Sequence, residues 1–466
     1  MDQLSNLTGV AEPTLRLLSS LLSAYPLAIL THSLLLHPSV PRSARLALII
    51  ASSLLVHMFF LSFTTAIMHS LSVVLGTWAV AKLSDRLPKL LPKRVVSTLL
   101  VAAIFGHLMW GYFVTRRAAG DVYVISWTMT QCVLSLRAAG TVLDWGESKA
   151  AFSSFPVFVA YCYFYGYSFV GPQVPLADFE AYISLEKFQR HGFLKPATAG
   201  AKTKPLPPVA GYALQSLAIG VVFLGIHVGG GKYLSSDTMR QPVFLTWSLA
   251  SRIVYVMAFV KVLLCKYLGV WALVDGAVAL SGLSFGGLDS DHKPIWDSYR
   301  NCNPLTFHLA TSLSVIIPNF NMSTNDWCKT YIFKRLRFLG SKDLSSALTL
   351  LFLAAWHGPS PGYYLCFGLE FLDIYCERVF FKWVAVPQGP VWRVVSNVFG
   401  WLWASFALGY ATVAFEALRW DYTVTVWNSL YWSGHIVIAV IIIADLVASA
   451  LFRKPKSAKP EKAKKA

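Results

Sequence analysis

Apolar runs long enough to cross a lipid bilayer recur along almost the whole chain, and they restrict its fold more than any other feature. A membrane-spanning helix needs about 17–25 mostly apolar residues. Backbone groups in hydrocarbon must satisfy their own hydrogen bonds, so such segments are helical. We predict about eleven to thirteen membrane helices. The candidate segments are 14–36, 44–64, 66–82, 95–115, 121–140, 153–171, 209–230, 243–260, 262–284, 306–318, 343–357, 361–384, 392–417 and 426–452.

The composition excludes a set of ordinary soluble domains. Hydrophobic residues make up 55% of the chain and charged residues only 14%, whereas a soluble domain carries about 25% charged residues. The mean hydropathy of +0.54 agrees with this difference. The sequence therefore predicts an all-α polytopic membrane protein.

The positive charge is placed as membrane proteins place it. The net charge is +17, but the excess lies in the tail 453–466 and in short loops such as 82–94, 187–204 and 334–342. This is the positive-inside pattern, together with attraction to anionic lipid headgroups. We therefore expect membrane lipids as partners and no nucleic acid.

The chain is expected to form one membrane domain, 1–452, and a basic, disordered tail, 453–466, that faces the cytosol. The tail ends in Lys462-Ala-Lys464-Lys465-Ala466. This pattern resembles the K-x-K-x-x retrieval signal of endoplasmic reticulum membrane proteins, although a solvated basic tail has the same composition. We expect a multi-pass protein of the endoplasmic reticulum membrane.

The cysteine pattern indicates neither disulfides nor zinc. The seven cysteines are odd in number, scattered and without a C-x-x-C pair. No metal-ligand spacing is visible elsewhere in the sequence, so no metal site is predicted.

His357 is the first candidate catalytic residue. It ends an apolar helix in the sequence Leu-Ala-Ala-Trp-His, and an ionisable group at such a position marks a functional site by default. An imidazole accepts a proton near neutral pH. The alternative is a histidine that only packs against a neighbouring helix. Gly358, Pro359 and Pro361 break the helix directly after it, which opens backbone that must line a cavity or be buried in protein.

Residues 358–362 also match G-x-S-x-G, the nucleophile pattern of serine hydrolases. In those enzymes the residue after the serine donates its N–H to the oxyanion. Here that residue is Pro361, which has no N–H, and a membrane helix precedes the serine. We reject Ser360 as a nucleophile.

The second candidate cluster is polar and begins with Phe320-Asn321 and ends with Trp327-Cys328. A polar turn at the membrane surface has a similar composition. Asn321 precedes His357 by 36 residues, and neither periodicity nor spacing pairs the two.

Together the two clusters resemble the membrane-bound O-acyltransferase (MBOAT) family, in which an aromatic-Asn segment with a downstream Trp precedes a Trp-His-Gly at a helix end. The similarity is greatest to members that act on lysophospholipids. It covers roughly 120–380, and the segments that carry it are 127–136, 163–166, 170–173, 331–340 and 350–357. Pro359 and Pro361 depart from the family pattern, so the backbone beyond His357 is expected to differ.

The resemblance implies about eleven membrane helices around a central catalytic chamber, with His357 and Asn321 facing each other across it. It implies transfer of an acyl chain, expected to be polyunsaturated, from acyl-CoA to the free hydroxyl of lysophosphatidylcholine and related lysophospholipids. Acyl-CoA is then a co-substrate that enters from the cytosol, the acceptor enters from the bilayer, and no cofactor is required. His357 is expected to take the hydroxyl proton, and Asn321 to orient the hydroxyl or hydrogen-bond developing charge.

Further residues are expected to contribute to the site. Three aromatic side chains are expected to shape the chamber: Trp356, Tyr363 and Trp327. Three basic side chains are candidates for CoA phosphates, or are simply positive-inside anchors: Lys334, Arg335 and Arg337. Glu370 and Asp373 are expected to cap an edge of the membrane rather than to orient a basic partner.

Two alternatives remain open at this point. An acyltransferase of the same family acting on a sterol, a diacylglycerol or a protein would differ in its chamber lining. A lipid transporter or scramblase would show symmetry-related broken helices, and the sequence contains no internal repeat. The sequence does not decide between a monomer and a homodimer.

Overall fold

The computed structural model describes residues 3, 5, 6, 10–59, 64–119, 125–194, 204–384 and 389–452. The basic tail 453–466 and its K-x-K-x-x sequence lie outside the described residues, so their expected roles stay predictions.

The first half of the chain forms long helices that are followed by short ones. The helix α1 continues as a π-helix over Thr31–Leu35. The bounds are α1 Glu12–Leu30, α2 Arg42–Phe59, α3 Thr64–Arg86, α4 Lys93–Ala119, α5 Trp127–Gly146, α6 Phe155–Tyr163, α7 Leu176–Ile183, α8 Glu186–Gln189 and α9 Ala210–Gly230.

The second half alternates long helices with an irregular segment between residues 281 and 341. The bounds are α10 Pro242–Leu245, α11 Leu249–Leu280, α12 Pro304–His308, α13 Leu313–Ile316, α14 Met322–Cys328, α15 Lys342–His357, α16 Pro361–Trp383, α17 Pro390–Ala417, α18 Trp420–Ser429 and α19 Ser433–Leu451.

The prediction of an all-α membrane protein is confirmed. Seven helical segments in the described ranges are long and apolar enough to cross a bilayer. They are Glu12–Leu35, Ile67–Arg86, Lys93–Ala118, Ala210–Gly230, Leu249–Leu280, Pro390–Ala417 and Ser433–Leu451. Other helices, such as α15 and α16, are shorter or more polar, and the count of about eleven spans stays a prediction.

The predicted division into spans 243–260 and 262–284 is wrong. One helix, α11, runs through residues 249–280 without a break. Lys261 falls between the two predicted spans, and its ammonium donates to the backbone oxygen of His308 at 3.3 Å and lies over the Phe307 ring. A charged side chain that finds such partners does not have to end the helix.

Two further predicted spans are also corrected. Segment 306–318 contains only the short helices α12 and α13, because Pro304 and Pro318 start new turns there. Segment 426–452 is interrupted between α18 and α19, where Tyr431 and Trp432 adopt left-handed backbone angles with φ of 51° and 53°. The last membrane helix therefore begins at Ser433.

Segment 153–171 is likewise not one helix, since α6 ends at Tyr163. The chain then turns inside the protein, where its carbonyl groups need donors. Arg137 of α5 is fully buried, and its guanidinium donates to the backbone oxygens of Cys162 and Tyr167. Irregular backbone is thus satisfied by a buried side chain rather than by lipid.

Long helices of the second half enclose the part of the protein that contains Asn321 and His357. The helix α11 packs against α9 on one side and against α17 on the other, and α16 packs against both α15 and α17. The irregular segment 301–341 is folded into the space that these helices leave. It carries α14, which begins immediately after Asn321.

Candidate active site

A cavity that contains both candidate catalytic residues lies among α11, α13, α14, α15, α16 and α17. We call it the His357 cavity. Its empty space, including the part open to the surroundings, is about 1050 Å³. Most of its wall is apolar, with Asn321 and His357 among the polar side chains that line it.

The end of α15 places His357 at this cavity. Gly358 leaves the helical conformation with φ +133°, and its N–H donates to the oxygens of Ala354 and Ala355. The hydroxyl of Tyr112 donates to the backbone oxygen of Trp356 at 2.8 Å, which satisfies one carbonyl of the last turn. The helix break inferred from glycine and proline is therefore present and positions the histidine.

Aromatic rings surround the imidazole of His357. Ring centroids lie 5.5 Å away for Phe367, 5.4 Å for Tyr363 and 5.1 Å for Phe415. No hydrogen bond joins the imidazole to another residue in the described ranges. Its ring nitrogens are therefore available to a bound molecule in the cavity.

A network of buried hydrogen bonds positions Asn321. Asn301 is fully buried, and its N–H donates to both carboxylate oxygens of Asp275 at 3.2 Å. The Asn301 side-chain oxygen accepts from the N–H of Ser323 at 3.0 Å, and the Asn301 backbone oxygen accepts from the N–H of Met322 at 2.9 Å. The first turn of α14 is thereby fixed to α11.

Asn321 itself adopts a left-handed conformation, with φ 51° and ψ 47°, which Asn tolerates better than most residues. Its side-chain oxygen accepts from the Asn301 amide at 3.5 Å. The Asn321 amide N–H₂ is then the group left to donate into the cavity. The structure thus brings Asn321 and His357 into one cavity, as the family resemblance implied, and their chemical roles stay predictions.

The helix α14 separates the His357 cavity from a second, more polar one. Thr324 and Asn325 face the His357 cavity, whereas Ser323, Asp326 and Trp327 line the other. This second space, the polar cavity, measures about 1340 Å³ with its opening. Charged side chains in its wall are Arg137, Asp144, Glu180, Asp297, Arg300 and Asp326.

The three aromatic residues assigned to the chamber occupy different places. Tyr363 contacts the His357 ring directly. Trp356 is buried behind it, and its indole N–H donates to the backbone oxygen of Cys132 at 2.9 Å. Trp327 lies against the ring of Phe352, with centroids 5.8 Å apart, and lines the polar cavity instead. Contact of Trp356 and Trp327 with substrate stays a prediction.

The three basic candidates follow α14 on the side of the polar cavity. Arg335 forms an ion pair with Glu147 and lies over the ring of Tyr331. Hydrogen bonds from Lys149 and Arg335 lower the pKa of the Glu147 carboxyl. Lys334 and Arg337 are exposed, so they are the two that a ligand can reach without breaking a pair.

Sequence reasoning missed Asp275 and Asn301. Asp275 is the one acidic residue of α11, and an isolated carboxylate in an apolar helix was a usable signal. Asn301 lies in an irregular segment and carried no such signal. Glu370 and Asp373 were expected at a membrane edge, but both line the His357 cavity.

The described residues contain no group of three or more His, Cys, Asp or Glu side chains that could hold a metal ion.

Gly362 permits the close approach of α16 and α17 beside His357, and we predict that alanine there destabilises the protein. A Cβ on Gly362 would lie 2.0 Å from the Ala414 backbone oxygen. Overpacking of this kind costs about 1–3 kcal/mol or more. Gly368 of the same helix is the matched control, since a Cβ there meets nothing within 4 Å. Thermal unfolding in detergent should show a lower midpoint for Gly362→Ala alone; equal midpoints would contradict the prediction.

Comparison with known proteins identifies the family to which the chain belongs. A sequence profile of the membrane-bound O-acyltransferase family matches residues 46–415, a range that contains both Asn321 and His357. A mouse protein named lysophospholipid acyltransferase 5 is 29% identical over 99% of this chain and 94% of its own length. A Caenorhabditis elegans protein of the same name is 26% identical over 99% and 98%. A lysophospholipid acyltransferase of Schizosaccharomyces pombe is 27% identical over 97% and 89%. This chain is a multi-pass membrane protein that belongs to the membrane-bound O-acyltransferase family.

Proposed function

We propose that this protein transfers an acyl group from acyl-CoA to the free hydroxyl of a lysophospholipid, with His357 and Asn321 at the reacting atoms. One observation carries the proposal: an imidazole and an amide without competing partners on the relevant atoms line one largely apolar cavity. The names of the related proteins support a lysophospholipid as the acceptor. We further propose lysophosphatidylcholine as a substrate and a polyunsaturated chain as the acyl group.

In the proposed reaction the acceptor hydroxyl donates a hydrogen bond to a ring nitrogen of His357. Its oxygen attacks the thioester carbonyl carbon as the proton passes to the imidazole. The carbonyl oxygen becomes an oxyanion, to which the Asn321 amide donates. Collapse of this intermediate breaks the carbon–sulfur bond, and the CoA sulfur leaves with the proton that His357 holds. General-base assistance of this kind is worth about 10² to 10⁴ in rate.

The low polarity of the His357 cavity favours this reaction. Hydrogen bonds to developing charge are stronger where water is excluded. A dry cavity also protects the thioester from hydrolysis. The apolar side chains of α11, α16 and α17 that form its wall provide these conditions.

Acyl-CoA is proposed to enter through the polar cavity. The cavity runs along the face of α14 opposite to Thr324 and Asn325, and the basic segment 329–337 follows directly after that helix. A thioester that reaches past α14 would meet Asn321. We propose that this opening and the basic tail face the cytosol and that the protein resides in the endoplasmic reticulum membrane.

Acyl transfer by the purified protein tests the proposal. The protein in detergent is supplied with acyl-CoAs of differing unsaturation and with lysophospholipids of several headgroups, and products are identified by mass spectrometry. Formation of a diacyl phospholipid is the expected result. An inactive wild-type protein on every lysophospholipid would overturn the acceptor class, and sterol, diacylglycerol and peptide acceptors would be tested next.

Charge reversal at Lys334 and Arg337 should weaken acyl-CoA binding. We expect the double variant Lys334→Glu/Arg337→Glu to raise the KM for acyl-CoA by about tenfold or more, because ammonium and guanidinium groups bind phosphate. The KM for the acceptor should stay unchanged. Initial rates at varied acyl-CoA concentration give both constants.

Arg86 and Lys89 provide a matched control, since both are exposed and lie at the end of α3 and in the loop that follows it. Their reversal to glutamate alters the net charge equally. A similar KM increase in both double variants would assign the effect to general electrostatics and would contradict a specific phosphate site.

A further inference from the structure

Two carboxylates face the His357 cavity without any cation to balance them. Glu370 and Asp373 both line it, yet neither forms a hydrogen bond or an ion pair within the described ranges. No Lys or Arg lies among the described residues of the cavity wall. Carboxylates in such surroundings are costly unless a positive group accompanies them.

The burial of Asp373 shows that this is not a solvated acidic patch. Only 5% of its surface is exposed, so its carboxylate meets the cavity rather than bulk water. The neighbouring Glu377, by contrast, is fully used, because it accepts from the N–H groups of Leu313 and Ser314 and from the Ser314 hydroxyl. Helix α16 therefore carries one carboxylate with a structural function and two that lack a partner.

Aromatic rings in the same wall point independently to a cationic ligand. Tyr267, Trp271 and Phe320 line the cavity as one cluster, with centroid distances of 5.8 Å between Tyr267 and Trp271 and 4.9 Å between Trp271 and Phe320. Aromatic faces attract quaternary ammonium groups, and a desolvated site strengthens the attraction. Carboxylates and aromatic rings lining one cavity are the combination that suits such a group.

The position of the carboxylates relative to His357 fits a lysophospholipid headgroup. Phe367 stacks on the His357 ring, Glu370 follows it by one turn, and Asp373 follows Glu370 by another turn, all three lining the cavity. The rise of a helix places them about 4.5 Å and about 9 Å further along the axis. The free hydroxyl of a lysophospholipid is separated from the nitrogen of its choline or ethanolamine group by the glycerol carbons, the phosphodiester and a two-carbon bridge.

We propose that Glu370 and Asp373 bind the ammonium group of the acceptor headgroup and so select zwitterionic over anionic lysophospholipids. This inference rests on the proposed function of the His357 cavity. A zwitterionic headgroup brings its own positive charge to the carboxylates. An anionic headgroup without an amine, such as phosphoglycerol, brings only further negative charge, so the same wall that attracts one class rejects the other.

A competition assay tests this selection. Lysophosphatidylcholine and lysophosphatidylglycerol with the same acyl chain are mixed at equal mole fraction in neutral detergent micelles with one acyl-CoA. The ratio of the two diacyl products, measured by mass spectrometry, does not depend on how much folded enzyme is present. We expect wild type to favour the choline product and Glu370→Gln/Asp373→Asn to lower that ratio by about tenfold or more.

Asp343→Asn is the control, because Asp343 is an exposed carboxylate that pairs with Arg378 away from the cavity. Its product ratio should equal that of wild type. An unchanged ratio in Glu370→Gln/Asp373→Asn, or a wild-type preference for the anionic acceptor, would overturn the headgroup site while leaving acyl transfer intact. A wild type that acylates neither acceptor would instead remove lysophosphatidylcholine from the proposed function, and the headgroup site with it.

Discussion

Replacing His357 by alanine should lower the rate of acyl transfer by a factor of about 10² to 10⁴, because the acceptor hydroxyl then loses its general base. The imidazole has no protein hydrogen-bond partner within the described ranges, so the loss falls on the reaction rather than on a structural bond. Initial rates at saturating acyl-CoA and lysophosphatidylcholine measure the effect.

The variant His357→Gln distinguishes a function of His357 in proton transfer from a function in filling space. Glutamine restores bulk and a polar group among Phe367, Tyr363 and Phe415, but it cannot take a proton at neutral pH. Its activity should be as low as that of His357→Ala. A glutamine variant that recovers most of the wild-type rate would show that the imidazole only fills space.

His227→Ala serves as the matched control. His227 also lies on a membrane helix, α9, where its Nδ1 lies 3.2 Å from the Val262 backbone oxygen, and it does not line the His357 cavity. We expect near wild-type activity. Comparable losses in both variants, or a lower unfolding midpoint for His357→Ala, would assign the effect to stability.

Local features of the sequence predicted the position of His357 correctly. A glycine and two prolines after an apolar run end a helix wherever the run is placed, because they act on the backbone of neighbouring residues. The bounds of α15 and α16 accordingly agree with the predicted segments 343–357 and 361–384 to within a residue. Helix ends that depend only on residues close by in sequence could therefore be derived from the sequence.

The predicted helix bounds were wrong where residues that are distant in sequence determine the structure. Lys261 does not end α11, because its ammonium donates a hydrogen bond to the backbone oxygen of His308 and lies over the ring of Phe307. Both partners are far from Lys261 in sequence. The turn after α6 exists because Arg137 of another helix satisfies its carbonyl groups. A hydropathy profile contains the charge or the apolar run, but it does not contain the hydrogen-bond partner that the tertiary fold brings to it.

The presence of Asn321 and His357 in one cavity could not be derived from their spacing, because it too depends on residues that are distant in sequence. Asn301 and Asp275 fix α14 against α11, and only then does Asn321 face the end of α15. The family resemblance implied the pairing, and the residues alone did not. The unpartnered carboxylates on α16 were visible in the sequence, but their orientation toward the cavity was not.

Removing the amide of Asn321 should lower kcat by about 10² to 10³ and change neither KM strongly, since the amide is proposed to stabilise charge that exists only in the transition state. Asn321→Gly is the sharpest variant, because glycine keeps the left-handed backbone at φ 51° without strain. Asn321→Asp keeps shape but replaces a donor with an acceptor, and it should be at least as inactive. Steady-state kinetics in detergent, with unfolding midpoints measured alongside, give the result.

The double variant Asn321→Gly/His357→Ala shows whether the two side chains act on one step. Groups that stabilise the same transition state give losses that do not multiply, so the double variant should be only slightly slower than His357→Ala. Losses that multiply fully would place the two residues in independent functions. A wild-type kcat in Asn321→Gly would remove the amide from the reaction and leave Asn321 as a residue that only shapes the turn before α14.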